Sequence, residues 1–143
     1  MTRVFVYGTL KPGEANFEPY CGGKVSAMTP AYTYGHLYAL KVGYPAMTRG
    51  DTQVSGVLLT FEDCQVLADI DELEDYDPTR PPEKNLYQRE WIACYAPSGE
   101  SLGEAWGYRM DFSWVQQLGG LFLASGVWRG RGKAGSPIDF HHR

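Results

Sequence analysis

Cysteine is scarce. The 143 residues hold only Cys21, Cys64 and Cys94, and no two of them form a C-x-x-C pair. Such an odd, scattered set excludes a disulfide framework and a thiolate zinc site, and it reads as buried thiols in a reducing compartment. Histidine is equally sparse. His36 lies in a strand-like run, and His141 and His142 close the chain with no cluster of carboxylates or cysteines beside them, so no metal site is expected. No apolar run approaches the roughly 18 residues of a membrane span, and no basic-then-apolar leader opens the chain. A cytoplasmic protein with no membrane partner is therefore expected. Basic residues are outnumbered, 13 Lys and Arg against 17 Asp and Glu for a net charge of -4. That balance argues against a phosphate backbone as partner, and so against nucleic acid.

Aromatic residues are plentiful, with ten Tyr and four Trp. Tyrosine sets a large apolar body beside a polar tip, which suits a half-wet pocket as well as half-exposed strands. The length fits one domain with a substantial core.

The organising stretch is Arg3-Val4-Phe5-Val6-Tyr7-Gly8-Thr9-Leu10-Lys11-Pro12-Gly13. Val4, Phe5 and Val6 form a nearly continuous apolar run, as in a strand covered on both faces. Gly8 removes the Cβ at the strand exit, and Pro12 and Gly13 finish a turn. Backbone N–H groups freed at such a turn can hold a ligand oxygen, although Gly8 could equally do no more than end the strand.

Farther along, Glu14 to Met28 reads as a loop or short irregular helix. Tyr32 to Leu40 alternates as a strand interrupted at Gly35, Gly43-Tyr44-Pro45-Ala46 signals a turn, and Val54 to Phe61 is a further strand. A helix is predicted from Thr60 to Tyr76, capped by Thr60 with Asp63 three residues on, and stopped by Pro78. Asp77 to Asn85 is a proline-rich loop, expected to be the flexible part. Tyr87 to Tyr95 and Glu104 to Met110 form a hairpin around Pro97-Ser98-Gly99-Glu100, and Ser113 to Ala124 has helical spacing. From Gly126 the composition turns to Gly, Arg and Lys, so a domain of residues 1–125 with a tail of 126–143 losing order is expected. The G-x-G-x-x-G pattern at Gly130 to Gly135 has no βαβ unit around it and is set aside.

Glu74 is the chemical candidate. At 100° per residue it aligns with Leu67 and Ile70, while Asp69 and Glu72 project away. Burial and the negative end of the helix dipole would both raise its pKa, as a proton shuttle near neutral pH requires. If the helix ended sooner, Glu74 would instead join Asp71, Glu72, Asp75 and Asp77 in water. Both readings are open from the helix alone.

Five short motifs in order carry a resemblance: Tyr7-Gly8-Thr9-Leu10; Gly35-His36-Leu37-Tyr38 with Gly43-Tyr44-Pro45-Ala46; Ile70-Asp71-Glu72-Leu73-Glu74; Tyr87-Gln88-Arg89; and Ala105-Trp106-Gly107-Tyr108. Together they resemble the gamma-glutamylcyclotransferase-like family over about residues 3 to 110. The resemblance implies an α+β fold, a small mixed β-barrel with one or two packed helices. It implies a metal-independent enzyme of acyltransferase or amine-lyase type with no cofactor. Its small-molecule substrate would be a gamma-glutamyl amide, cleaved by attack of the α-amine to give 5-oxoproline and a free amine. Carried onto this chain, Glu74 is the catalytic acid/base, and Tyr7, Gly8, Thr9, Leu10, Tyr44 and Tyr108 bind substrate. Asp75 stands where many members have Gly, and the loop before Tyr87 is longer than usual, departures that bear on substrate preference more than on the reaction; the leaving amine and, separately, the oligomeric state stay open. A module that keeps the pocket without turnover, or a structural barrel, are the alternatives.

Overall fold

The computed structural model describes residues 1–130. Its first strand, β1 (Thr2–Val6), runs through the middle of the core. Val4 and Val6 face one apolar cluster with Leu59, Phe61, Ile70 and Leu73, whereas Phe5 and Tyr7 face a second with Leu37, Met47, Val54 and Ile92. Burial on both faces is why this strand reads as an unbroken apolar run.

Two long strands follow, β2 (Val25–Ala39) and β3 (Pro45–Phe61), antiparallel along almost their whole length. Their register shifts between Gly35 and His36, where the sequence shows the interrupting glycine. The end of β3 also pairs antiparallel with β1, from Thr2 opposite Phe61 to Val6 opposite Val57. A hairpin of β4 (Gln88–Tyr95) and β5 (Ser101–Arg109) joins β1 in parallel at Val4 and Trp106, and joins β2 at Tyr32 and Tyr95. A short β6 (Leu121–Phe122) lies against β2. The circuit β1, β5, β4, β2, β3 and back to β1 closes a barrel-like sheet, with two of its seams held by a single residue pair each. The fold is thus the mixed α+β class, though less regular than a clean barrel.

Three short helices pack outside it: α1 (Phe17–Cys21), α2 (Gln65–Leu73) and α3 (Phe112–Gln117). Helix α2 starts later than the predicted Thr60, because Thr60 and Phe61 are hydrogen-bonded into β3 opposite Arg3 and Thr2. Asp63 still serves its entry, accepting from the Gln65 N–H at 2.9 Å. Helix α3 is shorter than the predicted Ser113 to Ala124, since Leu121 and Phe122 leave the helical path for β6. Cys21 and Cys94 are buried, but Cys64 is exposed at the N-terminus of α2, contrary to the reading of all three as interior thiols.

The domain does not stop at 125. Trp128 is 6% exposed within the second core cluster, the Ser55 N–H donates to the Gly126 carbonyl at 2.8 Å, and Lys11 Nζ donates to the Trp128 carbonyl at 2.6 Å. Residues 126–130 therefore pack on the barrel, and the rest of the expected tail, 131–143, lies outside the described residues. The proline-rich loop is tied at its neck. The Asp77 N–H donates to Asn85 Oδ1 at 3.1 Å, and Asn85 Nδ2 donates back to the Asp77 carbonyl at 3.2 Å, with Asn85 2% exposed.

Candidate active site at the exit of β1

Where β1 ends, the chain makes the Tyr7-Gly8-Thr9-Leu10 turn and is held there from within. The Lys11 N–H donates to the Gly8 carbonyl at 3.0 Å, and Asn16 latches Thr9 twice: its N–H to the Thr9 carbonyl at 2.8 Å, and Nδ2 to Thr9 Oγ1 at 2.9 Å. Among the described residues, none of the turn's hydrogen bonds uses the N–H groups of Gly8, Thr9 or Leu10. The glycine is dictated by packing. A Cβ at Gly8 would stand 2.6 Å from Pro45 Cγ, closer than any side chain tolerates.

Tyr7 is bound into the scaffold as well as into the cleft wall. Its hydroxyl donates to the Tyr108 carbonyl at 2.8 Å and accepts from the Met47 N–H at 3.2 Å, stitching β1 to β5 and β3. The Tyr87 hydroxyl donates to the Pro45 carbonyl at 2.6 Å, which fixes the far side.

Glu74 follows the last residue of α2, its N–H donating to the Ile70 carbonyl at 2.9 Å. It is 9% exposed and shares one narrow cleft with Tyr7, Gly8, Thr9, Leu10, Tyr44, Pro45, Tyr87 and Tyr108. The structure thus brings every sequence-predicted site residue to one place. Tyrosine rings, the turn and one carboxylate line it.

Behind this wall lies an ionic group that sequence reasoning missed. Asp71, assigned there to a solvated acidic cluster, is mostly buried: Oδ1 accepts from the Tyr108 hydroxyl at 2.6 Å, and Oδ2 accepts from Arg89 at 2.7 Å. The Arg89 guanidinium lies over the rings of Trp106 and Tyr76, 4.6 and 5.3 Å from their centroids. Burial raises the Asp71 pKa against the lowering effects of Tyr108 and Arg89. Burial also pushes the Tyr108 phenol far above its usual range, reinforced by the hydrogen bond to Asp71 and by the charges of Asp71 and Glu74. One signal was present in the sequence, since Asp71 and Glu74 are three apart and share a helix face. Their partners arrive from β4 and β5, which spacing within α2 does not reveal.

A larger open depression of about 960 Å³ lies elsewhere, lined by His36, Arg49, Glu90, Arg109 and Trp114 among others. It contains neither Glu74 nor the turn, and in it Glu90 pairs with both Arg49 and Arg109, at 2.9 and 3.1 Å. The narrow cleft, rather than this depression, holds the sequence-predicted residues, with a buried carboxylate beside the turn. Among the described residues no three His, Cys, Asp or Glu side chains gather as they would around a metal ion, and no helix is long and apolar enough to cross a membrane.

A family model described as gamma-glutamyl cyclotransferase, AIG2-like, matches residues 4–130. A relative from Halalkalibacterium halodurans, provisionally named a gamma-glutamylcyclotransferase, is 45% identical over 60 residues, 41% of this chain and 51% of that protein. The match thus spans about half of the relative's length. An AIG2-like protein from Mus musculus has the same fold, with a TM-score of 0.68 at 21% identity, over 97% of this chain and 95% of its own. YkqA from Bacillus subtilis is similar at a TM-score of 0.65 and 21% identity, over 89% of this chain and 39% of YkqA. At such identities the structural likeness is one of fold. The family model, by contrast, runs from the first core strand to the last described residue, and by that match the chain belongs to the AIG2-like gamma-glutamyl cyclotransferase family.

Proposed function

We propose that the protein cleaves a gamma-glutamyl amide by attack of the substrate's own α-amine on its γ-carbonyl, releasing 5-oxoproline and a free amine. The observation that supports this reading is that a buried carboxylate shares one cleft with a turn whose N–H groups at Gly8, Thr9 and Leu10 are not spent on other described residues. Such a substrate brings its own nucleophile, and closing a five-membered ring gains an effective molarity on the order of 10⁵ M or more when the chain is held folded. What is left for the protein is proton transfer and charge stabilisation.

Glu74 does the first. Over the reaction the attacking nitrogen passes from ammonium to lactam N–H and gives up two protons. The leaving nitrogen passes from amide N–H to ammonium and takes up two, so one carboxylate moving between them balances the exchange. The N–H groups of Gly8, Thr9 and Leu10 meet the oxyanion that forms on the γ-carbon when the new C–N bond closes and before the old one breaks. Tyr44 and Tyr108 flank the glutamyl portion. No metal or cofactor enters these steps.

The test is incubation of the full chain with gamma-glutamyl amino acids, gamma-glutamyl-ε-lysine and simple gamma-glutamylamines, with 5-oxoproline measured directly. We expect equal amounts of 5-oxoproline and free amine from at least one substrate class. Saturable binding with no 5-oxoproline would overturn the reading in favour of a binding module.

A further inference from the structure

The Asp71–Tyr108–Arg89 group has a geometry that scaffolding does not require. Asp71 lies in the last turn of α2, three residues before the C-cap Glu74; Asp71 reaches Tyr108 of β5, and Glu74 lines the cleft with that same tyrosine. Its two carboxylate oxygens are divided, one for the Tyr108 hydroxyl at 2.6 Å and one for Arg89 at 2.7 Å. Arg89 is itself held against Trp106 and Tyr76, so Asp71 has little freedom to turn. Tyr108 belongs to the wall of the cleft and feels the charge of Glu74.

A phenol carries a single proton. Donated to Asp71, that proton is unavailable to the cleft, and the oxygen can act there only through its lone pairs. We propose that Asp71 is a positioning residue that locks the Tyr108 proton on its own side, so that the Tyr108 oxygen meets the substrate's α-ammonium as an acceptor beside Glu74. This inference rests on the proposed reaction and assigns the amine-holding side of that same site. The lock has a second effect. A freely turning Tyr108 hydroxyl could donate to Glu74, and a donor on the charged form would make the carboxylate a weaker base. Arg89 makes the arrangement unidirectional, because it offers only donors and keeps the second Asp71 oxygen occupied.

Asp71→Asn tests the lock. Arg89 can only donate, so it draws the new side chain's oxygen, and the amide NH₂ then faces Tyr108. The phenol must accept there and turn its proton into the cleft. We expect kcat/KM to fall about tenfold or more, as for one misdirected hydrogen bond to a charged group. Tyr108→Phe, which deletes the oxygen, should cost a similar factor. Adding Asp71→Asn to Tyr108→Phe should cost no more than about a further twofold, because residues acting through one group do not add. Thermal midpoints of all variants are read in parallel. If the two losses multiply in folded protein, or if Tyr108→Phe turns over like the wild type, the inference is overturned. Should Asp71→Asn fail to fold, the Tyr108→Phe result decides alone. A wild-type chain that forms no 5-oxoproline would overturn the reaction and this inference together, whereas an active wild type with additive variants would overturn only the inference.

Discussion

Asp75 has a φ of 57°, and it is the non-glycine residue with positive φ among those described. The chain leaves α2 at Glu74 and reverses there. Aspartate is among the few other residues that tolerate the left-handed region, and Arg80 supports it by donating to its carbonyl at 2.8 Å and to Oδ1 at 3.1 Å. Asp75→Asn should therefore fold and turn over like the wild type. Asp75→Val should lose about 1 to 2 kcal/mol in denaturant unfolding and disturb the Glu74 side chain that precedes it. Gly8 asks for a different correction. From the sequence Gly8 reads as a strand exit or a ligand approach, whereas packing also demands it, since a valine's Cβ would enter the Pro45 ring. Gly8→Val is expected to lower stability by about 1 to 3 kcal/mol as well as activity. A variant with wild-type unfolding would show that the turn has room the structure does not give it.

At the level of elements, β1, the β4–β5 hairpin and the bulged β2 were legible, because alternation and turn residues are local signals. The start of α2 was not. Thr60 is a fair cap and Phe61 a fair apolar position in either pattern, and only pairing with β1 decides that they stay in the sheet. The inward placement of Glu74 does not suffer from that error, since it depends on Leu67 and Ile70 rather than on where the helix begins. Asp71 was misread because four nearby acids suggest solvent, and the Arg and Tyr that bury it come from other strands. The segment from Gly126 reads, from its glycines and bases, as a tail losing order, yet its one tryptophan is core. Truncation after Val127 should cost about 3 to 5 kcal/mol through loss of Trp128, and it would also release Lys11 beside the turn. Truncation after Gly130 should leave stability and kcat near wild type. Equal stability of the two truncations would show that Trp128 contributes nothing to the core. Asn16→Ala should raise KM and lower stability by about 1 to 3 kcal/mol, because Thr9 would lose its buried partner.

On the scale of the whole molecule, the cleft exists because the barrel closes. The turn leaves β1, Glu74 ends α2, Pro45 opens β3, and Tyr87 and Tyr108 come from the hairpin, so four separate stretches meet only when the sheet joins up. The seams at Val4–Trp106 and Tyr32–Tyr95 are single pairs, and the tyrosine hydroxyls of residues 7 and 87 supply cross-links where ladder bonds are few. A site assembled in this way couples activity to closure of the sheet. It also leaves one carboxylate, among the described residues, facing the turn. Glu74→Gln preserves its shape and removes its proton exchange, while Glu72→Gln alters an exposed neighbour on α2. With a gamma-glutamyl amide that the wild type turns over, Glu74→Gln should lose about 10²-fold or more in kcat with KM little changed, and Glu72→Gln should match the wild type. Normal turnover by Glu74→Gln, above all if Glu72→Gln were dead, would contradict the assignment of Glu74 as the proton carrier.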